Sequence, residues 1–239
     1  MISIHQVDFE ITRRLNIYSK KSATYHRSYL DAAVNEALQI YFERMVDYAE
    51  ESAKVASAIS LWKKKGIRLD PVERTNLSYV FKLPENYYRN QGEYAYVSKG
   101  SCKNRYCELH REPGFKIPSL LNNSDWQPSF EWGETIWDQG ADKMYVYHGN
   151  TMSIDAVLLD YYRWPLKLTS TELYPKDEIP LDPATNTPLT VNIGLEVSSQ
   201  ESFRKVMDIF QLIIARDRND QLDFQMEINK LLTLKNIFL

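Results

Sequence analysis

The first 65 residues contain no glycine and no proline; all 8 glycines and all 10 prolines lie at Gly66 or beyond. A stretch without breakers is free to be helical throughout, whereas the remainder must be punctuated by turns. Cysteine is scarce as well. With only Cys102 and Cys107, a disulfide framework is excluded, and the chain fits a protein that matures in a reducing cytosol. A basic excess is also missing. The 29 basic and 32 acidic residues leave a net charge of −3, which speaks against a nucleic-acid binder working by counter-ion release. No apolar run approaches the ~20 residues of a membrane span. The opening MISIHQVDFEITRR places acids early and does not read as a secretory signal.

The parts of a catalytic site are equally thin. There is no G-x-S-x-G, Walker loop, H-E-x-x-H or glycine-rich phosphate cradle, and none of the four histidines stands beside a plausible nucleophile. Cys102, Cys107 and His110 form C-x4-C-x2-H, half of a zinc pattern. The nearest fourth ligand, His148, lies far along the chain, and the odd Cys102–Cys107 separation places the two thiols on opposite faces of a strand. Buried thiols are the expectation, with a metal site or a Cys102–Cys107 disulfide as alternatives. Glu131, Glu134, Asp138, Asp155 and Asp160 could supply a glycosidase pair, but no spacing selects two of them. The reading is of a protein that is not an enzyme, with no catalytic, metal or cofactor site.

What the chain does have begins with helices. Residues 8–20 read as a first helix, and Ser28 can cap a second, with Asp31 in its first turn. Val34, Leu38, Tyr41, Met45, Tyr48, Ser52, Val55, Ile59 and Trp62 then recur at steps of four and three, a heptad seam with one polar break at Ser52. Lys63, Lys64 and Lys65 suit a last helical turn and Gly66 a C′ residue, so the pattern predicts one helix roughly 50 Å long at ~1.5 Å per residue. A helix of that length commonly crosses a subunit boundary. The seam residues Val34, Leu38, Tyr41, Met45, Tyr48, Val55, Ile59 and Trp62 are therefore the expected subunit interface.

Beyond Pro71 strand-like segments alternate with turns, at 77–83, 94–98 and 106–110. The strongest strand signal is 143–165, KMYVYHGNTMSIDAVLLDYYRWP, read as a hairpin closed at His148-Gly149-Asn150 and apolar on both faces of its second strand. Just before it Trp126, Phe130, Trp132 and Trp137 crowd into twelve residues. Such a cluster either plugs the end of a sheet or anchors an interface, and the plug is expected to claim at least two of the four. The 16 tyrosines fit either a tyrosine-rich β-domain or an assembly surface. Five prolines between 165 and 188 predict a wandering connection. Ser198-Ser199-Gln200-Glu201 fits a capping box ahead of a helix from Phe203 to about Arg218, and the apolar terminus Ile237, Phe238, Leu239 reads as a docking tail. The expected fold is α+β: an N-terminal long-helix bundle over 1–70, a central antiparallel β-domain over 71–197, and a C-terminal helix with an extended tail over 198–239.

Taken together, Asn-Glu-Ala-Leu-Gln-Ile-Tyr at 35–41, Leu-Pro-Glu-Asn-Tyr at 83–87, Gln-Pro-Ser-Phe at 127–130, the Tyr-Tyr-Arg-Trp-Pro close at 161–165 and the helix from Phe203 resemble one family. They are similar to the virion structural proteins of crAss-like tailed bacteriophages, and most to their head-to-tail adaptor or neck ring proteins. The resemblance covers about 28–218 and rests on packing residues, with Leu195-Glu196-Val197 standing where that family often has an acidic Leu-Pro segment. It implies a non-enzymatic connector that forms a ring, commonly of twelve copies. The ring docks on the portal protein and on tail or neck ring proteins, and genomic DNA passes without sequence-specific binding. The site is then the virion neck, assembled in the host cytoplasm, with no membrane contact. Trp126, Trp132, Trp137, Ile237, Phe238 and Leu239 become the expected partner-docking residues. Alternatives are another neck or tail component (tail tube or stopper) and a carbohydrate- or receptor-binding module built on the tryptophans.

Overall fold

Helix formation in the breaker-free segment stops well short of the end of its heptad pattern. The computed structural model describes residues 1–18, 25–170, 192–217 and 224–232. In it α1 spans Ile4–Tyr18 and α2 spans Arg27–Ala49, and the chain then breaks before the six-residue α3, Ala53–Ala58. Glu50 and Glu51 follow the C-terminus of α2, where the helix dipole disfavours negative charge. Ser52 is extended, with φ −141° and ψ 115°, ahead of α3.

Two further segments differ from the heptad expectation. Lys63, Lys64 and Lys65 open the strand β1, Lys63–Leu69, and Gly66 sits at a β-bulge between Lys64 and Ile67. Its φ is +61°, the left-handed region that glycine adopts without penalty, and its N–H donates to Asp160 Oδ1 at 2.6 Å. The expected N-terminal long-helix bundle is therefore corrected. The fold is mixed α+β, its helices are short, and an eight-stranded curled sheet dominates the core.

The chain divides into two units, Met1–Leu61 with Pro165–Leu239, and Trp62–Trp164. In the first, α5 (Gln200–Asp217) packs against α1, α2 and the short α6, Phe224–Leu231. α5 starts one residue later than the capping box predicts: Ser199 Oγ, not Ser198, accepts the Ser202 N–H at 3.1 Å. Its apolar stripe of Phe203, Val206, Met207, Phe210, Ile213 and Ile214 is buried. Facing it, α2 buries Leu30, Ala33, Ala37, Phe42 and Val46 as well as the seam residues Val34, Leu38, Tyr41 and Met45. That stripe is wider than a coiled-coil seam and belongs to a helix in a globular core. Polar ties join the same helices: Tyr41 Oη to Ser202 Oγ at 3.1 Å, Arg216 to Glu36 at 2.8 Å, and Arg14 to Asp208 at 2.6 Å. The two-residue strands β9 (Thr169–Ser170) and β10 (Asn192–Ile193) pair antiparallel. The proline-rich connection over 171–191 and the terminal Ile237, Phe238 and Leu239 lie outside the described residues.

The second unit is the sheet. After β1 come β2 (Pro71–Arg74), β3 (Ser78–Lys82), β4 (Tyr87–Lys99), β5 (Cys102–Arg111), β6 (Glu134–Gln139), β7 (Lys143–Tyr147) and β8 (Ser153–Arg163), in the order β1-β8-β4-β5-β6-β7-β3-β2. β1 and β2 are separated only by Asp70. The first pairs with β8 and the second with β3, so one bent stretch of chain supplies both ends of the sheet and the wall curls round on itself. The inward faces meet in one core that includes Leu69, Phe81, Val97, Leu109, Trp137, Val146 and Leu159.

The expected hairpin over 143–165 is corrected here. Gly149 and Asn150 do take positive φ, +52° and +59°. Yet β7 pairs with β3 and β6, whereas β8 pairs with β1 and β4, so the turn links strands that are not neighbours. A bulge opposite Tyr96 and Val97 also shifts the faces of β8, bringing Ile154 onto the core side with Val157, Leu159 and Tyr161. The sheet is not wholly antiparallel either, because β5 and β6 run parallel.

Candidate functional site

Parallel neighbours cannot be joined by a tight turn and need a crossover. The chain accordingly leaves β5 at Arg111 and returns to β6 at Glu134 by way of residues 112–133, including α4 (Ile117–Leu121), which carries Pro118 at its start. Ile117 and Phe130 are buried and anchor this crossover. Between and beside them its backbone is locked by turns: Gln127 N–H to Asn123 O at 2.9 Å, Asp125 N–H to Asn123 Oδ1 at 2.9 Å, and Gly133 N–H to Ser129 O at 3.0 Å. Thr151 Oγ1 donates to Pro128 O at 3.1 Å.

The consequence is that two tryptophans stand on an ordered platform in solvent. Trp126 is 68% exposed and Trp132 is 70% exposed. Inward alternation on β5 (Cys107, Leu109) and β6 (Trp137) leaves His110, Glu134 and Ile136 on the outer face, under the crossover. A cleft of about 450 Å³ opens between the two layers, lined by His110, Glu112, Asp125, Trp126, Trp132 and Glu134 among others. No lysine or arginine lines it. Glu112 lies 3.6 Å from the Lys116 ammonium on the crossover.

The outer wall continues as an aromatic band. On β4 and β5, Tyr94 and Tyr106 are half-exposed, with ring centroids 5.4 Å apart, and Tyr96 meets Tyr106 edge-on at 5.0 Å. The hydrogen bond with Tyr96 raises the Tyr106 phenol above its ordinary pKa. Gly133 O accepts the Glu108 N–H at 2.7 Å, stitching the crossover to the strand that carries Tyr106. Sequence reasoning missed this ladder. Its signal was the matching parity of Tyr94 and Tyr96 on one strand and of Tyr106 and Glu108 on the next, legible only once the register of β4 on β5 is known.

The expected site residues separate into distinct groups. Of the predicted subunit interface, Val34, Leu38, Tyr41, Met45, Val55, Ile59 and Trp62 are buried within the chain and Tyr48 is half-buried. The seven buried side chains are enclosed by the chain's own fold, which accounts for their apolar spacing without a neighbouring subunit. Of the predicted docking residues, Trp126 and Trp132 are exposed together, while Trp137 is fully buried, its Nε1 donating to Glu93 Oε1 at 2.8 Å. Trp137 and Phe130 are the two aromatics of the cluster that fill the core.

The candidate chemistry disperses in the same way. Cys107 is buried, and burial pushes its thiol up to about 12, whereas Cys102 is exposed, which corrects the expectation of two buried thiols. Among the described residues no three of His, Cys, Asp and Glu converge as metal ligands. His148 is buried, accepts the Asn150 N–H on Nδ1 at 3.0 Å and packs edge-on against Tyr79. Burial lowers its pKa below the ordinary imidazole value. Asp160 is occupied by the Gly66 bulge, Asp155 by Ser98 Oγ, Glu131 by Lys99 and Asp138 by the Gln139 N–H, leaving Glu134 as the only one of the five suspected carboxylates in the cleft.

No helix among the described residues is long and apolar enough to cross a membrane. No protein-family model matches the chain, and no curated protein matches it.

Proposed function

We propose that this chain is an assembly subunit of a virion head-to-tail connector, a ring protein that joins portal to tail and leaves a channel for DNA. The reading rests on the resemblance of 28–218 to neck ring proteins of crAss-like phages. The observation in the fold that carries the assembly role is the turn-locked platform presenting Trp126 and Trp132 at 68% and 70% exposure. Two such faces offer roughly 300 Å² of apolar surface, about 7 kcal/mol of gross burial at 25 cal/mol/Å². Association costs consume much of that gain, as they do at any interface. Ordered, isolated tryptophans of this kind are what an interface centre uses.

The helical seam does not provide the contact, because its residues are spent on the chain's own core. The outer wall of the sheet takes that role instead. Purified chain mixed with portal protein should give a multi-copy complex by mass measurement, and Trp126→Ala with Trp132→Ala should abolish it without changing the melting temperature. A chain that stays monomeric and ignores the portal at high concentration would overturn the proposal.

A further inference from the structure

The cleft beneath the tryptophans has a chemistry of its own. Asp125 and Glu134 contribute two carboxylates, Glu112 contributes a third that faces Lys116 at 3.6 Å, and Trp126 and Trp132 contribute two π-faces. Such a site rejects phosphates and acidic sugars and suits a cation carried on an apolar stem, since an ammonium is attracted to both carboxylates and indole faces. The same unit carries the complementary group. β1 pairs on one side only over Lys63–Leu69, with β8, and Lys64 and Lys65 are exposed on it without an ion pair to any described residue. Lys63 is turned over the Tyr162 ring at 6.0 Å, and Arg68 is held by Asp70 at 3.0 Å, so Lys64 and Lys65 are the free charges of this edge.

We infer that the cleft of one copy receives the Lys64–Lys65 edge of a second copy of this chain. The inference rests on the ring reading above and names the contact between adjacent subunits. The two surfaces are different patches on one subunit, which makes the contact heterologous, the geometry that generates rings when the rotation closes. In it the Lys64 and Lys65 ammonium groups meet the carboxylates of the cleft, Asp125 and Glu134 first, since Glu112 already faces Lys116 at 3.6 Å.

A charge swap tests the contact. Lys64→Glu with Lys65→Glu makes the edge acidic, and Glu112→Lys with Glu134→Lys makes the cleft basic. Sedimentation of the wild-type chain at millimolar concentration and low salt should show self-association that weakens steeply with added salt. Each double variant alone should lose it by at least about tenfold. Mixing the two should restore it, because each variant's edge then meets the other's oppositely charged cleft. Near-ultraviolet circular dichroism identical to wild type establishes that both variants fold. A wild type that stays monomeric under these conditions overturns the contact while leaving portal binding to be judged by its own assay. Self-association that persists in either variant, or a mixture that fails to restore it, overturns it too. Binding of neutral glycans in the cleft that is lost on Trp132→Ala, with no self-association, would reassign the cleft to sugar recognition.

Discussion

Replacing Gly66 examines the most consequential local difference between the heptad reading and the fold. A Cβ at Gly66 meets nothing within 4 Å, so steric collision contributes nothing to the cost of Gly66→Ala. What remains is the left-handed backbone at φ +61°, about 1–2 kcal/mol for an L side chain. Gly66→Asn should cost less, because asparagine tolerates this region. Asp160→Ala removes the acceptor of the Gly66 N–H at 2.6 Å, a charge-assisted bond discounted to about 1 kcal/mol because water reaches the exposed N–H. Both changes act on one bulge, so the double variant should cost measurably less than the sum. For a chain of this size each kcal/mol lowers the melting temperature by roughly 2–4 °C. Thermal unfolding followed by far-ultraviolet circular dichroism reads all four proteins, with Gly92→Ala as a control, since a Cβ there meets only Asp160 Cβ at 4.0 Å. Under a helix-capping role for Gly66, Asp160→Ala would be silent. A silent Asp160→Ala, or strict additivity, refutes the bulge.

Three further outcomes follow from the placement of single thiols and ionisable groups. In native protein a thiol reagent should modify one cysteine at once, Cys102, and reach Cys107 only on unfolding; two fast thiols would contradict the register of β5 on β4. His148 is held below the usual imidazole pKa of 6.5 by burial, so the folded state binds fewer protons than the unfolded state beneath that pH. Stability is complete above about pH 6.5 and should fall as the pH drops from there toward the lowered folded value, with His148→Gln flattening that slope in urea titrations at several pH values. Glu10 is held at about 2, first by its hydrogen bond to Arg13 and then by Arg14. It should contribute on the order of 2 kcal/mol above pH 4.5, lost as the pH falls from 4.5 toward 2, and Glu10→Gln should remove that acid sensitivity if the pairing holds.

Much of the local structure was legible in the residues, and most of the misreadings were of pairing. The stripe from Phe203 to Ile214 predicts α5 because helical spacing depends on the segment alone. Ser52 was visible as the one polar break in the seam, and Leu30, Ala33, Ala37, Phe42 and Val46 beside it already pointed to a broad buried face. The four-and-three spacing alone predicts one long helix, whereas the flanking apolar residues belong to the broader face of a shorter one. Gly66 is a strand bulge and not the expected C′ residue; a bulge and a helix end both favour glycine with a left-handed backbone, and only Asp160, distant in sequence, separates them. Gly149 and Asn150 predicted their turn without predicting what it joins, because register and strand order depend on which chain segments close the sheet. The tryptophans show the same limit. Trp126, Trp132 and Trp137 are alike in sequence, and the parity of β6 together with the crossover imposed by a parallel pair decides that only the first two face solvent.

The position of this chain in a particle tests the assembly role most directly. Averaged images of portal protein reconstituted with the chain should resolve a ring of copies on the portal axis, with Trp126 and Trp132 enclosed at a subunit or portal boundary. A ring in which both tryptophans remain in open solvent, or portal particles with no added ring, would contradict the assembly role.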